Sequence, residues 1–147
     1  MTNDHFDLER FVKAQDPVLE VALEELRAGR KRTHWMWFVF PQLRELGRSA
    51  TARFYGISSL EEARAYAAHP LLGTRLMHCT RIVLESTALS LHDIFGSPDD
   101  MKFRSCMTLF EAAAPQVNAV FGQALERWCA GERDLRTLQL VASAGAT

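Results

Sequence analysis

The chain is expected to be all-α: one compact multihelical domain of about seven or eight helices, several short, around a central helix near residues 98–114. Three observations predict this. Apolar residues recur at helical spacing along most of the chain. N-cap residues, first-turn prolines and terminal glycines return at short intervals. The glycines and prolines between these segments leave little room for strands. A chain of 147 residues can bury roughly two-thirds of the surface that its unfolded form exposes. Residues 1–147 are therefore read as a single helical domain that needs no separate stabiliser.

In chain order, a short first helix should contain Leu8, Phe11 and Val12. Asp16 as N-cap, Pro17 at the first helical position and Gly29 past the last turn frame the second helix. Its residues Val18, Leu19, Ala22, Leu23 and Leu26 share one face, while its acids and Arg27 meet water. The strand candidate is Trp35 to Phe40, an aromatic and β-branched run ending at Pro41, although so short a run fits a buried helix equally. Ser59 and Glu62 have capping-box spacing and open a helix to about Ala68, because His69 precedes Pro70 and is steered away from helical angles. From Pro70 a longer helix should carry Leu72, Leu76, Cys79 and Val83 on one face, to about Ala88. Ser90 to Gly96 forms one or two turns. Ser97 as cap, Pro98, and the acids Asp99 and Asp100 at the positive end of the dipole then open the central helix. From Met101 to Ala114 its only charges are Lys102, Arg104 and Glu111, so both of its sides are mostly apolar. Helices over about Gln116 to Cys129 and Leu135 to Ala142 complete the set.

A hydrophobic fraction of 48% and a charged fraction of 24% exclude a disordered or membrane chain. The net charge of -1 gives no overall attraction to nucleic acid or anionic lipid, so neither is an expected partner. The charge is uneven, however. Residues 27–53 carry a net +6 and the remainder -7, which allows a local anion site in a protein that is not basic. The N-terminus has acids where a signal peptide has lysines, and no apolar run reaches spanning length, so a cytoplasmic location is expected. Cys79, Cys106 and Cys129 lack paired spacing and read as buried small hydrophobes, not as a disulfide framework or a metal site.

The segments Arg10-Phe11-Val12 with Ala14-Gln15, Ala22-Leu23 with Glu25-Leu26-Arg27 and Gly29-Arg30-Lys31, His34-Trp35-Met36-Trp37-Phe38 with Phe40-Pro41-Gln42, and Leu46-Gly47-Arg48-Ser49 carry a family pattern. It continues in Tyr55-Gly56-Ile57, Glu62-Ala63 with Tyr66, His69-Pro70, Leu72-Gly73 with Arg75-Leu76, Ile94-Phe95-Gly96, Pro98-Asp99-Asp100, Lys102, Arg104-Ser105, Thr108-Leu109-Phe110, and Asp134 with Thr137-Leu138. Together these resemble the bacterial domain-of-unknown-function family 1810, sometimes mislabelled calpastatin-like, whose solved members are mainly helical. The resemblance spans nearly the whole chain and implies a helical fold, but no settled activity. Ala67-Ala68 departs from the pattern, where a larger apolar residue is expected.

Chemistry concentrates in two places. In the first, basic residues Lys31 and Arg32 adjoin His34, Trp35, Trp37, Phe38 and Gln42. His34 could act as a general acid or base in an aromatic pocket, or simply donate to a backbone carbonyl. Trp35, Trp37, Phe38 and Tyr55 could stack a purine or nicotinamide, or fill the core. Arg30, Lys31 and Arg32 could hold a phosphate or diphosphate, but a charge run at a helix C-terminus reads first as a solvated end. Arg48, between Gly47 and Ser49, is the better oxyanion ligand, since arginine binds oxyanions bidentately and glycine permits close backbone approach. Gln42 could read an amide or base edge.

In the second, Asp99 and Asp100 open the central helix. One should stabilise that helix, and the other could activate water or stabilise an oxocarbenium-like centre. Lys102 and Arg104 must either pair with Glu62 or Asp99 or face an anionic ligand, because an unpaired buried charge is costly. His69 and Arg75, flanking the Pro70 helix start, read either as loop-fixing groups or as ligand contacts. No P-loop, GxGxxG, HExxH or GxSxG motif is present, so no cofactor or metal is expected.

The function expected is therefore that of a small-molecule pocket protein whose partner is anionic. In its enzymatic form it is a hydrolase of an N-glycosidic bond in a nucleotide-like, ADP-ribose-type ligand. There Asp99, Asp100 and His34 are the catalytic candidates, and Trp35, Trp37, Gln42, Arg48, Tyr55, His69, Arg75, Lys102 and Arg104 the binding candidates. The stretch from Glu62-Ala63 to Arg75 bears a likeness to the helical NADAR-type ADP-ribose-processing proteins, which motivates this version. The alternative is a non-catalytic interaction or homodimerisation module with Trp35 and Trp37 exposed. A further alternative is single-stranded nucleic-acid binding through the +6 segment.

Overall fold

A computed structural model of the protein describes residues 4–114 and 119–145. Among these residues lie ten α-helices and one 3-10 turn: α1 Glu9–Gln15, α2 Leu19–Arg27, α3 Met36–Val39, the 3-10 turn Arg44–Leu46, α4 Ala50–Phe54, α5 Leu60–Ala68, α6 Leu72–Glu85, α7 Leu91–Phe95, α8 Asp99–Ala113, α9 Val120–Trp128 and α10 Leu135–Gly145. The fold is all-α, with a single isolated parallel bridge, Leu43 to Ile57, among the described residues. No helix there is long and apolar enough to cross a membrane.

α8 is the centre. It packs against α5, α7, α9 and α10, and its residues from Ser105 to Phe110 are all buried. The near absence of charge along it requires this, since apolar groups on both sides of a helix need cover all round. The Trp35 to Phe40 segment resolves as a helical turn, α3, and not a strand. The Phe40 ring lies 5.2 Å from Phe103 of α8 and 5.8 Å from Phe95 of α7, and Phe95 stacks on Phe103 at 5.1 Å. Most of the aromatic segment is thus core. The helices beyond the expected set, α3 and α4, are four and five residues long, too short to show apolar periodicity.

Several ends differ from the sequence reading. Asp16 closes α1 instead of capping α2, which begins at Leu19 and not at Pro17, and the Asp16 carboxylate accepts from Arg75 Nη2 at 2.8 Å. Pro98, not Ser97, occupies the N-cap position of α8. The first-turn N–H groups of α8 are met by the carbonyls of Gly96 and Pro98. The expected start of α9 at Gln116 lies outside the described residues. Other signals held: Ser59 Oγ accepts from the Glu62 N–H at 3.1 Å, and Ser90 Oγ from the Asp93 N–H at 3.1 Å. Gly29, at φ 73°, ends α2 with paired reverse bonds, Gly29 N–H to the Leu26 carbonyl and Arg30 N–H to the Glu25 carbonyl, both 3.0 Å. A residue with a Cβ is strained at that φ. Gly73 has a different reason: a Cβ there would lie 2.2 Å from the Ala67 carbonyl oxygen, so glycine lets α6 press against the end of α5.

Two buried polar networks tie the early helices to the rest. Arg10 of α1 donates to Glu62 of α5 at 2.9 Å and to the carbonyls of Phe54, Gly56, Phe6 and Asp7. Both partners of this ion pair are sheltered, with side-chain exposures of 7% and 2%. Gln15 Nε2 donates to the Phe38 carbonyl at 2.6 Å and to the Tyr66 hydroxyl at 3.0 Å, which fixes the end of α3 against α1 and α5. Removing one member of the Arg10–Glu62 pair leaves a buried charge alone. Arg10→Met should therefore lower the unfolding free energy by about 3–5 kcal/mol in a urea titration, whereas Arg64→Met on the exposed face of α5 should change it little.

Candidate functional site

The site starts from a carboxylate that the sequence reading assigned to water. Glu25 of α2 is buried, 8% exposed. Its Oε1 accepts from the N–H groups of Arg32 at 2.7 Å and Thr33 at 3.0 Å and from Trp35 Nε1 at 3.0 Å, and its Oε2 accepts from Thr33 Oγ1 at 2.7 Å. Burial pushes its pKa up, but these hydrogen bonds outweigh that and bring it from 4.5 down to about 2. The turn they tie down directs each neighbour. Trp35 points inward, 1% exposed. His34 stays on the surface, with its ring 6.5 Å from that of half-buried Trp37. Lys31, fixed by its N–H to the Ile94 carbonyl at 2.6 Å, reaches the start of α8.

There Asp99 stands between two lysines. Lys31 Nζ lies 3.0 Å from Oδ2 and Lys102 Nζ 3.6 Å from Oδ1. Each ammonium also faces an indole, Lys31 over Trp35 at 5.2 Å and Lys102 over Trp37 at 5.9 Å, a favourable cation–π placement. Asp100 is directed elsewhere: it accepts from its neighbour's N–H, Met101, at 2.8 Å, and its other oxygen is 3.4 Å from His92. The two adjacent acids therefore have separate roles.

Beside Lys102 opens a groove of about 470 Å³ whose polar lining is Gln42, Arg48, Ser49, Lys102, Ser105, Asp134 and Arg136. Its outer wall is held by reciprocal backbone bonds, Arg44 N–H to the Ile57 carbonyl at 2.8 Å and Ile57 N–H to the Gln42 carbonyl at 2.9 Å. Gly47 packs on α4, where a Cβ would meet that of Ala52 at 2.9 Å. Its role is thus to seat the loop bearing Arg48, not to bring backbone to a ligand. Among the described residues, Arg48 and Arg136 make no side-chain hydrogen bond or ion pair, and the Gln42 amide has no partner. Asp134, the groove's carboxylate, is occupied as the cap of α10: its Oδ2 accepts from Ser105 Oγ at 3.1 Å and from both the N–H and the hydroxyl of Thr137. Three cations against one committed carboxylate make the groove electropositive.

The structure gathers only part of the expected set. Gln42, Arg48 and Lys102 line the groove, with Asp99 and Trp37 adjoining it through Lys102, and Trp35 lying beneath Lys31. His34, exposed with its ring 6.5 Å from that of Trp37, does not line the groove. Asp100 and Arg104 line a different groove, with His92, Trp128 and Cys129. Arg104 lies 4.0 Å from both Glu132 and Asp134, and its buried Nε has no hydrogen-bond partner. His69 caps α6, its Nδ1 accepting from the Leu71 N–H at 3.1 Å and the Leu72 N–H at 3.2 Å. Arg75 binds Gln15 at 3.2 Å and Asp16. Tyr55 packs on Phe11 and Phe38.

Sequence reasoning set Lys31 aside as a solvated helix end and missed Glu25, Asp134 and Arg136. Only Asp134 had a legible signal, a carboxylate three residues ahead of a threonine at a helix start. A larger groove, about 650 Å³, lies between α8 and α9, but both of its arginines are engaged: Arg133 is paired with Glu111 at 2.8 Å and Glu126 at 3.4 Å, and Arg127 donates to the Leu84 and Ser86 carbonyls. Among the described residues no group of three or more His, Cys, Asp or Glu could hold a metal ion. Burial raises the pKa of all three thiols, Cys79 to about 12, so none favours the reactive thiolate.

A family model described as a protein of unknown function (DUF1810) matches residues 5–141. The chain is also similar to a solved structure, that of a conserved hypothetical protein from Mycobacterium tuberculosis. The two are 56% identical, the match covers 95% of this chain and 99% of that one, and the TM-score is 0.92. No curated protein matches.

Because the folded-state pKa of Glu25 is depressed, its stabilisation is complete above about pH 4.5 and is lost as the pH falls toward 2, an effect on the order of 2–3 kcal/mol. Denaturant titrations of Glu25→Gln should show reduced stability at pH 7 and a flatter pH dependence below 4.5 than in the parent. Equal slopes for the two proteins would contradict the assignment.

Proposed function

The chain belongs to the DUF1810 family of proteins of unknown function, and we propose that it is a small-molecule pocket protein whose ligand is anionic and phosphate-bearing, held in the groove between residues 42–49, the first turns of α8 and the start of α10. The observation that carries this is the convergence of Arg48, Arg136 and Lys102 on one concave surface, with no counter-ion for either arginine among the described residues. Solitary surface cations are ordinary. Three around one groove, in a chain of net charge -1, focus a positive potential where an oxyanion can take bidentate bonds from arginine. About 470 Å³ lies within the range of small-molecule sites. The free Gln42 amide adds a hydrogen-bonding edge, and half-buried Trp37, which adjoins the groove through Lys102, is the ring nearest to hand for a nucleotide-like ligand.

The enzymatic form of this reading is cleavage of an N-glycosidic bond in an ADP-ribose-type ligand. It needs a carboxylate oxygen free to act on water or on a developing cation. Asp99, 3.6 Å from Lys102, adjoins the groove and gains a free oxygen when Lys102 turns to the ligand. The interaction-module reading is less well supported. Trp35, Phe38 and Phe40 are buried within a single chain, which leaves Trp37 as the aromatic of that segment available to a partner. The same burial removes the stacked platform that single-stranded nucleic acid would require.

Calorimetry of the full chain at low salt with ADP-ribose, AMP and inorganic phosphate tests the proposal. Binding in the micromolar to millimolar range is expected, weakened roughly tenfold or more by Arg48→Ala, a change on an exposed residue that should leave the melting temperature near the parent's. Proton NMR of the same mixtures reports any cleavage. Absence of binding by all three compounds at millimolar concentration would sink the reading.

A further inference from the structure

Resting on that groove reading, we propose that Met101 is the specificity-determining residue of the groove, and that the ligand it selects joins its phosphate to an aromatic ring that lies on the Met101 thioether. Pro98, Met101, Lys102 and Ser105 line the groove together. They recur every three or four residues, so they form one stripe along α8. The stripe changes character along its length. At one end the Ser105 hydroxyl donates to Asp134 Oδ2 at 3.1 Å, where the start of α10 brings in Arg136. At the other end Pro98 and Met101 are apolar, and Leu46 and Ala52 add apolar surface to the lining. Seven residues of helical rise separate the two ends by about 10 Å, room for an anionic head and a ring side by side. A ligand that used the three cations alone would leave the apolar part of the groove in water.

Met101 is the exception on its helix. Phe103, Met107, Leu109 and Phe110 of α8 are fully buried, whereas Met101 is 60% exposed. It stands on the ridge between this groove and the one containing His92 and Trp128, so its side chain is open on both flanks. No aromatic residue lines the groove. Trp37 only adjoins it, with Lys102 lying 5.9 Å from the indole. The face that a ligand meets beside the cations is therefore aliphatic, with a sulfur within it. A thioether on an unbranched, flexible stem conforms to a ring and makes favourable contacts with aromatic groups. A sugar laid on the same surface would give up water at its hydroxyl groups and find no partner there, which costs free energy. Cations and thioether thus select together: the first take the phosphate, and the second takes a ring in preference to a sugar.

Calorimetry of the full chain at pH 8 and low salt with methyl phosphate, ribose 5-phosphate and phenyl phosphate tests this. Phosphate monoesters have a second pKa of about 6, so all three probes carry the same charge and differ in the organic group alone. The wild-type chain should bind phenyl phosphate about three- to tenfold more tightly than either of the others. Met101→Ser should reduce that ratio toward one and leave the affinity for methyl phosphate nearly unchanged. Leu135→Ser removes an exposed apolar side chain at the start of α10 that does not line the groove, and it should keep the ratio of the wild type. Both substitutions fall on exposed residues, so melting temperatures near the parent's are expected.

Equal binding of the three esters by the wild type, tighter binding of ribose 5-phosphate than of phenyl phosphate, or a phenyl preference undiminished in Met101→Ser overturns the role of Met101 while the groove reading stands. So does an equal loss of preference in Leu135→Ser. Failure of the wild type to bind any of the three esters overturns the groove reading, and the role of Met101 with it.

Discussion

The buried Glu25 carboxylate, satisfied by four N–H and O–H donors and by no cation among the described residues, is the constraint on which the functional end of the molecule depends. A charge in a sheltered site is tolerated when hydrogen bonds replace its lost water, and here every donor comes from the turn that follows the same helix. The turn therefore has little freedom to re-aim. Its inward tryptophan, outward histidine and the lysine that reaches α8 are placed by one carboxylate, with the Gly29 helix end setting where the chain reverses.

From that turn the chain enters the aromatic core, and α8 joins the two. Its middle and C-terminal turns are buried among α5, α9 and α10, while its first turn carries the acids and Lys102. Neighbouring positions on a helix point in different directions, so Asp99 faces the lysines and Asp100 faces His92. The same geometry separates Lys102, at the groove of Arg48 and Arg136, from Arg104, which is directed to Glu132 and Asp134. A helix whose core half is rigidly packed is a sound base for charged groups at its exposed end.

The polar residues of the chain fall into three uses. Arg10, Gln15, Glu62 and Arg75 hold helices together through buried or half-buried bonds. Ser59, His69, Ser90 and Asp134 close helix ends. A third group has no internal partner among the described residues, and Arg48, Arg136 and Gln42, which belong to it, line one groove.

The amino-acid sequence by itself determined the helical class, the central position of the helix near 98–114, the cap at Ser59, the short turn from Ser90 to Gly96 and the stop at Gly29. Apolar periodicity and cap chemistry act between residues within a turn or two of each other, so they are visible in a linear string. It also marked the His34 to Gln42 segment and the start of α8 as the two concentrations of chemistry. Only tertiary structure decided how they combine. It buried Glu25, joined Lys31 to Asp99 across 68 positions of chain, brought Arg136 beside Arg48, and gave His69 and Arg75 structural partners. Such pairings depend on which faces meet after packing and on whether a charge finds donors once desolvated, and no local pattern encodes either.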